Sequence, residues 1–314
     1  MEESLNLFKI LEKLRIEDAS LILYCLLNRI PIVVTNNNSE FINEFINKLI
    51  NLIPFRSDII FGSNFNTQKE HLDFISEENK NFDFKRRVFI SYCTSTPSAF
   101  RDIKDFKSWI IGLDKSIKIN KILSNYLEIK IISKTISIEL IGIDKSSIER
   151  ELSFETNLLE KFTDPKEIKK KNQFFNNFKK ILIQIVSEED HLKFLANIDR
   201  EEEAINLHIF KTSILNFISA AKKVFLILSK IHLIDLGRDD KNIEAPKLSK
   251  ETLLDVINYH DAPISRILTF IIEEYFGFID YSEEKKSVDF DFKKYVDVSL
   301  IGAKTDYMRR MGGF

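Results

Sequence analysis

The chain holds 314 residues, 44% of them hydrophobic and 11% aromatic, with only 8 Gly and 6 Pro; this excludes a disordered, collagenous or low-complexity protein and predicts two domains. Lys plus Arg number 46 against 48 Asp plus Glu, a formal charge of −2, so no global field draws the chain to nucleic acid or an anionic membrane. Its two cysteines, Cys25 and Cys93, each sit in an apolar stretch, which excludes a disulfide framework and predicts buried free thiols in a reducing compartment.

Met1 to Leu14 reads as an amphipathic helix with Leu5, Phe8 and Leu11 on one side, and Glu2 and Glu3 stand where a signal peptide would carry basic residues. The longest charge-free stretch, Val88 to Phe100, holds Ser, Thr and Pro and is shorter than the roughly 18 apolar residues that a spanning helix needs. These features predict a soluble, cytoplasmic protein without a transmembrane segment.

Ala19 to Asn28 reads as an apolar helix, and Ile30 to Thr35 as a buried strand, too short and too β-branched for another helix. Asn36-Asn37-Asn38-Ser39 supplies a turn and an N-cap, with Glu40 placing negative charge at a helix start. Phe41, Ile42, Phe45, Ile46, Leu49, Ile50 and Ile53 then form one helical stripe, closed by Pro54. Strands are predicted at Asp58 to Phe61, Arg87 to Tyr92 and Trp109 to Leu113, with a polar surface helix over Thr67 to Lys80. Leu127 to Ser133 and Ile136 to Ile143 read as a hairpin, Ile136, Ile138 and Leu140 alternating with polar or outward residues. Residues 1–145 are thus expected to form an α/β domain with a mixed sheet of five or six strands.

From residue 146 to residue 314 the pattern is that of an all-helical domain. Helices are predicted over Ser146 to Lys161, Glu167 to Val186 and Glu202 to Leu233, the last apolar nearly all round from Ile214 to Leu228 and so read as the buried centre of this domain. After a charged loop, Gly237 to Pro246, Ser249 caps a further helix, and Ile264, Ile267, Leu268, Ile271, Ile272, Tyr275 and Phe276 give a second stripe ending at Gly277. Val288, Phe290 and Phe292 suggest one late strand.

The turn after Ile30 to Thr35 is where an α/β protein would cradle phosphate, yet Asn36 to Ser39 contains neither the glycines that let backbone amides close on phosphate nor a lysine. The five histidines, His71, His191, His208, His232 and His260, show no metal-ligand spacing, and no cofactor is expected. His260-Asp261 reads as a solvated loop pair, and Cys93, outside any nucleophile motif, as a core thiol. The acidic groups Glu77-Glu78, Glu188-Glu189-Asp190, Glu201-Glu202-Glu203 and Glu283-Glu284 read as solvated helix ends, since sequence neighbours point to different sides of a helix. Arg266 followed by Glu273 and Glu274 carries the wrong sign for a DNA-reading helix. The basic run Lys169-Lys170-Lys171 reads as solvated surface, with a peripheral membrane contact left open.

In order, the chain shows Leu26-Leu27-Asn28-Arg29-Ile30-Pro31-Ile32-Val33-Val34, the helix through Phe45 to Leu52, Pro54-Phe55-Arg56, and then Trp109-Ile110-Ile111-Gly112-Leu113. This order resembles the central module of DENN domains, where a leucine-rich helix leads into a strand, a helix ends in a Pro-Phe element, and an Ile-Ile-Gly strand precedes a last pair of strands. The resemblance covers about the first 130 residues, and Leu127 to Ile143 fills the place of that last pair. It departs where Arg56-Ser57-Asp58 follows Pro-Phe in place of an aromatic, and no separate longin module is read ahead of the central one.

The resemblance implies binding to a Ras-like small GTPase, with guanine-nucleotide exchange done by surface contacts rather than covalent chemistry. The alternative is a non-catalytic adaptor or scaffold with no effect on nucleotide. Expected partner contacts are Asn36, Asn37, Asn38 and Ser39, then Arg56, and the tail Tyr307 to Phe314 with Arg309 and Arg310, where Gly312-Gly313 predicts flexibility.

Overall fold

The computed structural model describes residues 5–53, 55–56, 59–61, 69, 88–93, 100, 103, 106–115, 123–132, 135–163, 188–237, 247–276 and 295–296. They divide into two compact units between Leu215 and Asn216. The change of texture at residue 145 is thus a change from strand to helix, while the division into units lies further along, inside a helix.

The first unit opens with α1 (Leu7–Leu11), capped by the Asn6 side chain, which accepts from Lys9 N–H at 3.2 Å. Helix α2 (Ile16–Leu27) is buried without a break from Ala19 to Leu27, which explains its lack of a polar face. The sheet begins with β1 (Ile32–Asn36), followed by α3 (Ser39–Ile50), β2 (Ile59–Phe61), β3 (Val88–Ser91), β4 (Ser108–Asp114), β5 (Tyr126–Ile132) and β6 (Thr135–Ile141). Its six strands lie in the order β2-β3-β4-β1-β5-β6. The first five pair in parallel, and β6 returns antiparallel to β5, with Ile132 opposite Thr135. The mixed sheet expected from the sequence is present, with the hairpin turn one residue earlier than read.

Parallel strands need both faces covered, and β1 and β4 are accordingly buried along nearly their whole length. One face gathers Val33, Phe89, Ile103, Phe106, Trp109, Ile111, Leu113 and Tyr126. Phe89 stacks on Phe106 at 4.9 Å between ring centroids, and Trp109 tilts against Tyr126 at 6.1 Å. The other face receives α3, whose Ile42, Phe45, Ile46 and Leu49 are fully buried, the stripe read from the sequence. Gly112 makes this packing possible, since a Cβ there would stand 2.5 Å from Ile42 Cγ2 and 3.2 Å from Ile46 Cδ1.

After β6, α4 (Lys145–Glu149) starts on an Asp144 cap and leads to α5 (Ser153–Thr163), which packs on α2. Tyr24 Oη donates to Glu151 Oε2 at 2.8 Å, and the Ser20 and Thr156 hydroxyls meet at 3.1 Å. Helix α6 (Glu188–Leu236) is far longer than the predicted Glu202 to Leu233. No Gly or Pro interrupts it, so the charged run before Ala204 continues the helix instead of preceding it. Glu203 therefore lies mid-helix rather than at a solvated end. Its Oε1 accepts from Leu7 N–H at 3.2 Å at the start of α1, where a carboxylate favours the helix dipole, and its Oε2 takes Lys48 Nζ of α3 at 2.7 Å. Phe8 meets Phe210 edge-on at 5.9 Å, completing the α1 contact.

The second unit contains the remainder of α6, α7 (Lys250–Ile257) and α8 (Ile264–Ile271), the last continuing as a π-turn over Ile272–Phe276. Among its described residues the structure is helical apart from a bridge between Leu248 and Val296. Ser249 Oγ accepts from Thr252 N–H at 3.1 Å to cap α7, and Asn258, at φ 53°, ends it in the left-handed region. Phe217, Val224, Leu228, Leu253, Ile267 and Phe270 form the core, with Phe217 and Phe270 edge-on at 5.2 Å. Arg266 is 1% exposed, its guanidinium 5.4 Å from the Phe217 ring centroid. A buried side chain cannot reach a phosphate, which removes the DNA-reading alternative on a second ground.

The reading of α6 as apolar and buried all round holds for only one side of it. Phe217, Ala221, Val224 and Leu228 point into the unit, whereas Leu215 is 47%, Leu226 65% and Leu233 67% exposed. The predicted helices over Thr67 to Lys80 and Glu167 to Val186, the late strand, Lys169 to Lys171 and the tail with Arg309 and Arg310 lie outside the described residues, save Lys69.

Candidate functional site

Strand β1 stands where the order of the sheet reverses, with β4, β3 and β2 to one side and β5 and β6 to the other. In open α/β sheets such a reversal, at the carboxyl ends of the strands, is where ligands bind. The residues at this edge come from the ends of β1, β3 and β4 and from the first turns of α3.

The β1–β4 ladder continues past its last pair, since Lys115 N–H donates to Asn36 O at 3.1 Å. The loop then closes on itself. Asn36 Oδ1 accepts from Asn38 N–H at 2.9 Å, a side-chain turn, and Asn38 Oδ1 accepts from Glu40 N–H at 2.9 Å and Phe41 N–H at 3.1 Å. Deeper in α3, Asn43 and Asn47 lie one turn apart. Asn43 Oδ1 accepts from Cys93 N–H at 3.1 Å and Asn47 Oδ1 from Tyr92 Oη at 2.5 Å, which fastens the exit of β3 to the helix.

Four asparagines thus shape the edge, and their geometry decides its chemistry. The amides at the start of α3, which in a phosphate loop would face the anion, are taken up by Asn38. The exposed Glu40 adds a carboxylate to the same turn, and Asp114 another at the end of β4. Among the described residues this edge presents polar side chains, and the α3 amides that Asn38 caps are not open to a phosphate. Among the described residues, no group of three His, Cys, Asp or Glu stands ready for a metal ion, and no helix is long and apolar enough to cross a membrane.

Of the residues expected to meet a partner, Asn37 and Asn38 are exposed and Asn36 and Ser39 half-buried, all in this one loop. Arg56 is corrected. It is 6% exposed, its Nη1 donates to Leu26 O and its Nη2 to Leu27 O at 2.7 Å, and its guanidinium lies 5.0 Å from the Phe55 ring. Those carbonyls are the last of α2, where a cation satisfies both orphan acceptors and helix dipole. The residue that breaks the resemblance is therefore a helix cap facing inward. Arg309, Arg310 and the tail lie outside the described residues.

The two cysteines behave as read. Cys25 is fully buried, and desolvation pushes its thiol up; Cys93, 8% exposed, is raised by burial and then by the nearby Asp114 charge. Because the thiolate is the reactive form, Cys25 is expected to remain unlabelled by a charged alkylating reagent at neutral pH and Cys93 to label slowly. In denaturant both should label completely, as intact-mass spectrometry would record.

His260 pairs with Asp255, Nε2 to Oδ1 at 3.7 Å, and both side chains are exposed, in keeping with the solvated loop position read for this histidine. One buried polar cluster escaped the sequence reading. His232 Nδ1 lies 2.6 Å from Tyr295 Oη, which donates to Asp235 Oδ2 at 3.1 Å. Since the hydroxyl has one proton and gives it to Asp235, His232 Nδ1 carries the proton that Tyr295 accepts. The i, i+3 spacing of His232 and Asp235 on α6 is its one sequence signal; Tyr295 comes from sixty residues away. The cluster ties the bridge segment at Tyr295 to α6.

Compared with protein-family models, with curated proteins and with solved structures, the chain matches none.

Proposed function

We propose that the sheet-bearing unit binds a Ras-like small GTPase through the Asn36–Ser39 edge and promotes release of its guanine nucleotide. The support is the direct parallel pairing of β1 with β4, Val33 opposite Ile111 and Val34 opposite Gly112, so that two of the segments carrying the DENN resemblance lie side by side in one sheet. The edge beside them is polar and partly exposed, as suits a site that works by contact with another protein.

Nucleotide release requires tighter binding to the nucleotide-free GTPase than to the loaded form, because only a differential affinity shifts that equilibrium. Release of fluorescent GDP from Ras-like GTPases of the same source is expected to accelerate by about tenfold or more on adding the full chain, equivalent to roughly 1.4 kcal/mol of barrier. Asn37→Lys, at an exposed position in the turn, should weaken the acceleration strongly while leaving the Tm unchanged. An adaptor would bind loaded and nucleotide-free GTPase equally and leave the release rate as it was, overturning the exchange reading.

A further inference from the structure

From Ala204 to Ile234 the sequence holds no acidic residue but four lysines, in a chain whose net charge is −2. In the second unit this stretch of α6 has two opposed faces. Phe217, Ala221, Val224 and Leu228, at i, i+4, i+7 and i+11, are fully buried. Lys222, Leu226, Lys230 and Leu233, at i, i+4, i+8 and i+11, form a second stripe on the opposite side, and all four are exposed. Leu226 and Leu233 are 65% and 67% exposed; Ile234 beside them is 52% exposed. Lys223 Nζ lies 3.5 Å from Ile257 O, which brings Val256 of α7, 67% exposed, to the flank of the stripe. Asp235, which follows the stripe on α6, accepts from Tyr295, and Asp255 of α7 pairs with His260.

We infer that this stripe is the docking site for an acidic amphipathic helix of another protein, a second interface separate from the Asn36–Ser39 edge and independent of the GTPase reading. Two leucines seven residues apart, about 10.5 Å along the axis, match the spacing at which a partner helix presents its own apolar residues. Lysines before, between and beside them demand carboxylates on the partner's flanks. A second copy of this chain would set these lysines against each other with no acid to answer them. A lipid surface takes a broad, continuous apolar face, whereas Lys222 and Lys230 interrupt this stripe on either side of Leu226.

The test uses the full chain and a fluorescent helical peptide built from Glu, Ala and one heptad stripe of Leu, read by anisotropy. Binding is expected with Kd on the order of 10 μM, weakening about tenfold as added salt shortens the screening length from roughly 10 Å toward 3 Å. The same peptide with Lys in place of Glu should not bind. Leu226→Asp with Leu233→Asp should lose at least about tenfold in affinity at unchanged Tm, since both positions face solvent. Lys222→Glu with Lys230→Glu should reverse the preference and capture the Lys peptide. The inference is overturned by failure of the Glu peptide to bind, by equal binding of both peptides, or by indifference to the leucine substitutions. It is equally overturned if phosphatidylserine vesicles bind the chain and the peptide does not, or if sedimentation shows a dimer that Leu226→Asp with Leu233→Asp separates.

Discussion

Gly112→Ala is expected to destabilise the sheet-bearing unit by about 1–3 kcal/mol, the usual range for forcing extra volume into a packed core. The added methyl would stand 2.5 Å from Ile42 Cγ2, closer than carbon atoms approach, with Ile46 Cδ1 at 3.2 Å and the Cys93 backbone nitrogen at 3.3 Å on its other sides. Ile42 and Ile46 are fully buried and cannot swing outward, so α3 itself must lift from β4. For a unit of this size the Tm should fall by about 2–12 °C, readable by circular dichroism. Ile42→Ala removes the clashing atom while opening a cavity of its own. The double variant is therefore expected to be more stable than the sum of the two single losses predicts, a coupling that a cycle of four proteins measures directly. A Tm unchanged by Gly112→Ala would mean that α3 does not pack on β4 at this point.

Arg56→Met should cost about 2–4 kcal/mol by removing two charge-assisted hydrogen bonds and leaving the last carbonyls of α2 buried without their cap. Methionine keeps the apolar stem, so the loss isolates the guanidinium. Arg56→Lys should recover only part of it, because one ammonium cannot span both carbonyls as the planar fork does. The distinguishing measurement is chemical denaturation alongside partner binding. A residue that faces a partner would leave the denaturation midpoint where it was and lower affinity alone; Arg56 is expected to move the midpoint.

Much of the first unit was legible because its elements repeat on their own period. The Ile42, Phe45, Ile46 and Leu49 stripe, the β-branched run of β1 and the alternation through Ile136, Ile138 and Leu140 each announce a local geometry, and the sheet contains them all. Longer-range facts were not written locally. Arg56 looked like an exposed substitution because nothing in its neighbourhood reveals that Leu26 and Leu27 end a helix directly beneath it. The start of α6 was hidden by charge, since Glu, Asp and Lys extend a helix as readily as they form a loop. Its apolar circumference carried no sign of which side would be covered, and the packing of α7 and α8 decided that. At the candidate edge, the asparagines of the turn were visible in the sequence. Asn43 and Asn47 were not, because their partners, Cys93 and Tyr92, follow nearly fifty residues later.

The order of the sheet also bears on how the chain comes off the ribosome. Strand β1 has no strand partner among the segments made just after it; its two partners are β4 and β5, which finish only at Asp114 and Ile132. At synthesis rates of roughly 5–20 residues per second, the backbone edges of Ile32, Val33 and Val34 wait several seconds for a ladder, with only α3 made early enough to pack on one face. Closing such long loops before any ladder forms makes refolding slow, and the waiting surface is the kind that chaperones hold. A nascent chain stopped short of Ser108 should therefore be sticky and protease-sensitive, and one extended past Ile132 protected.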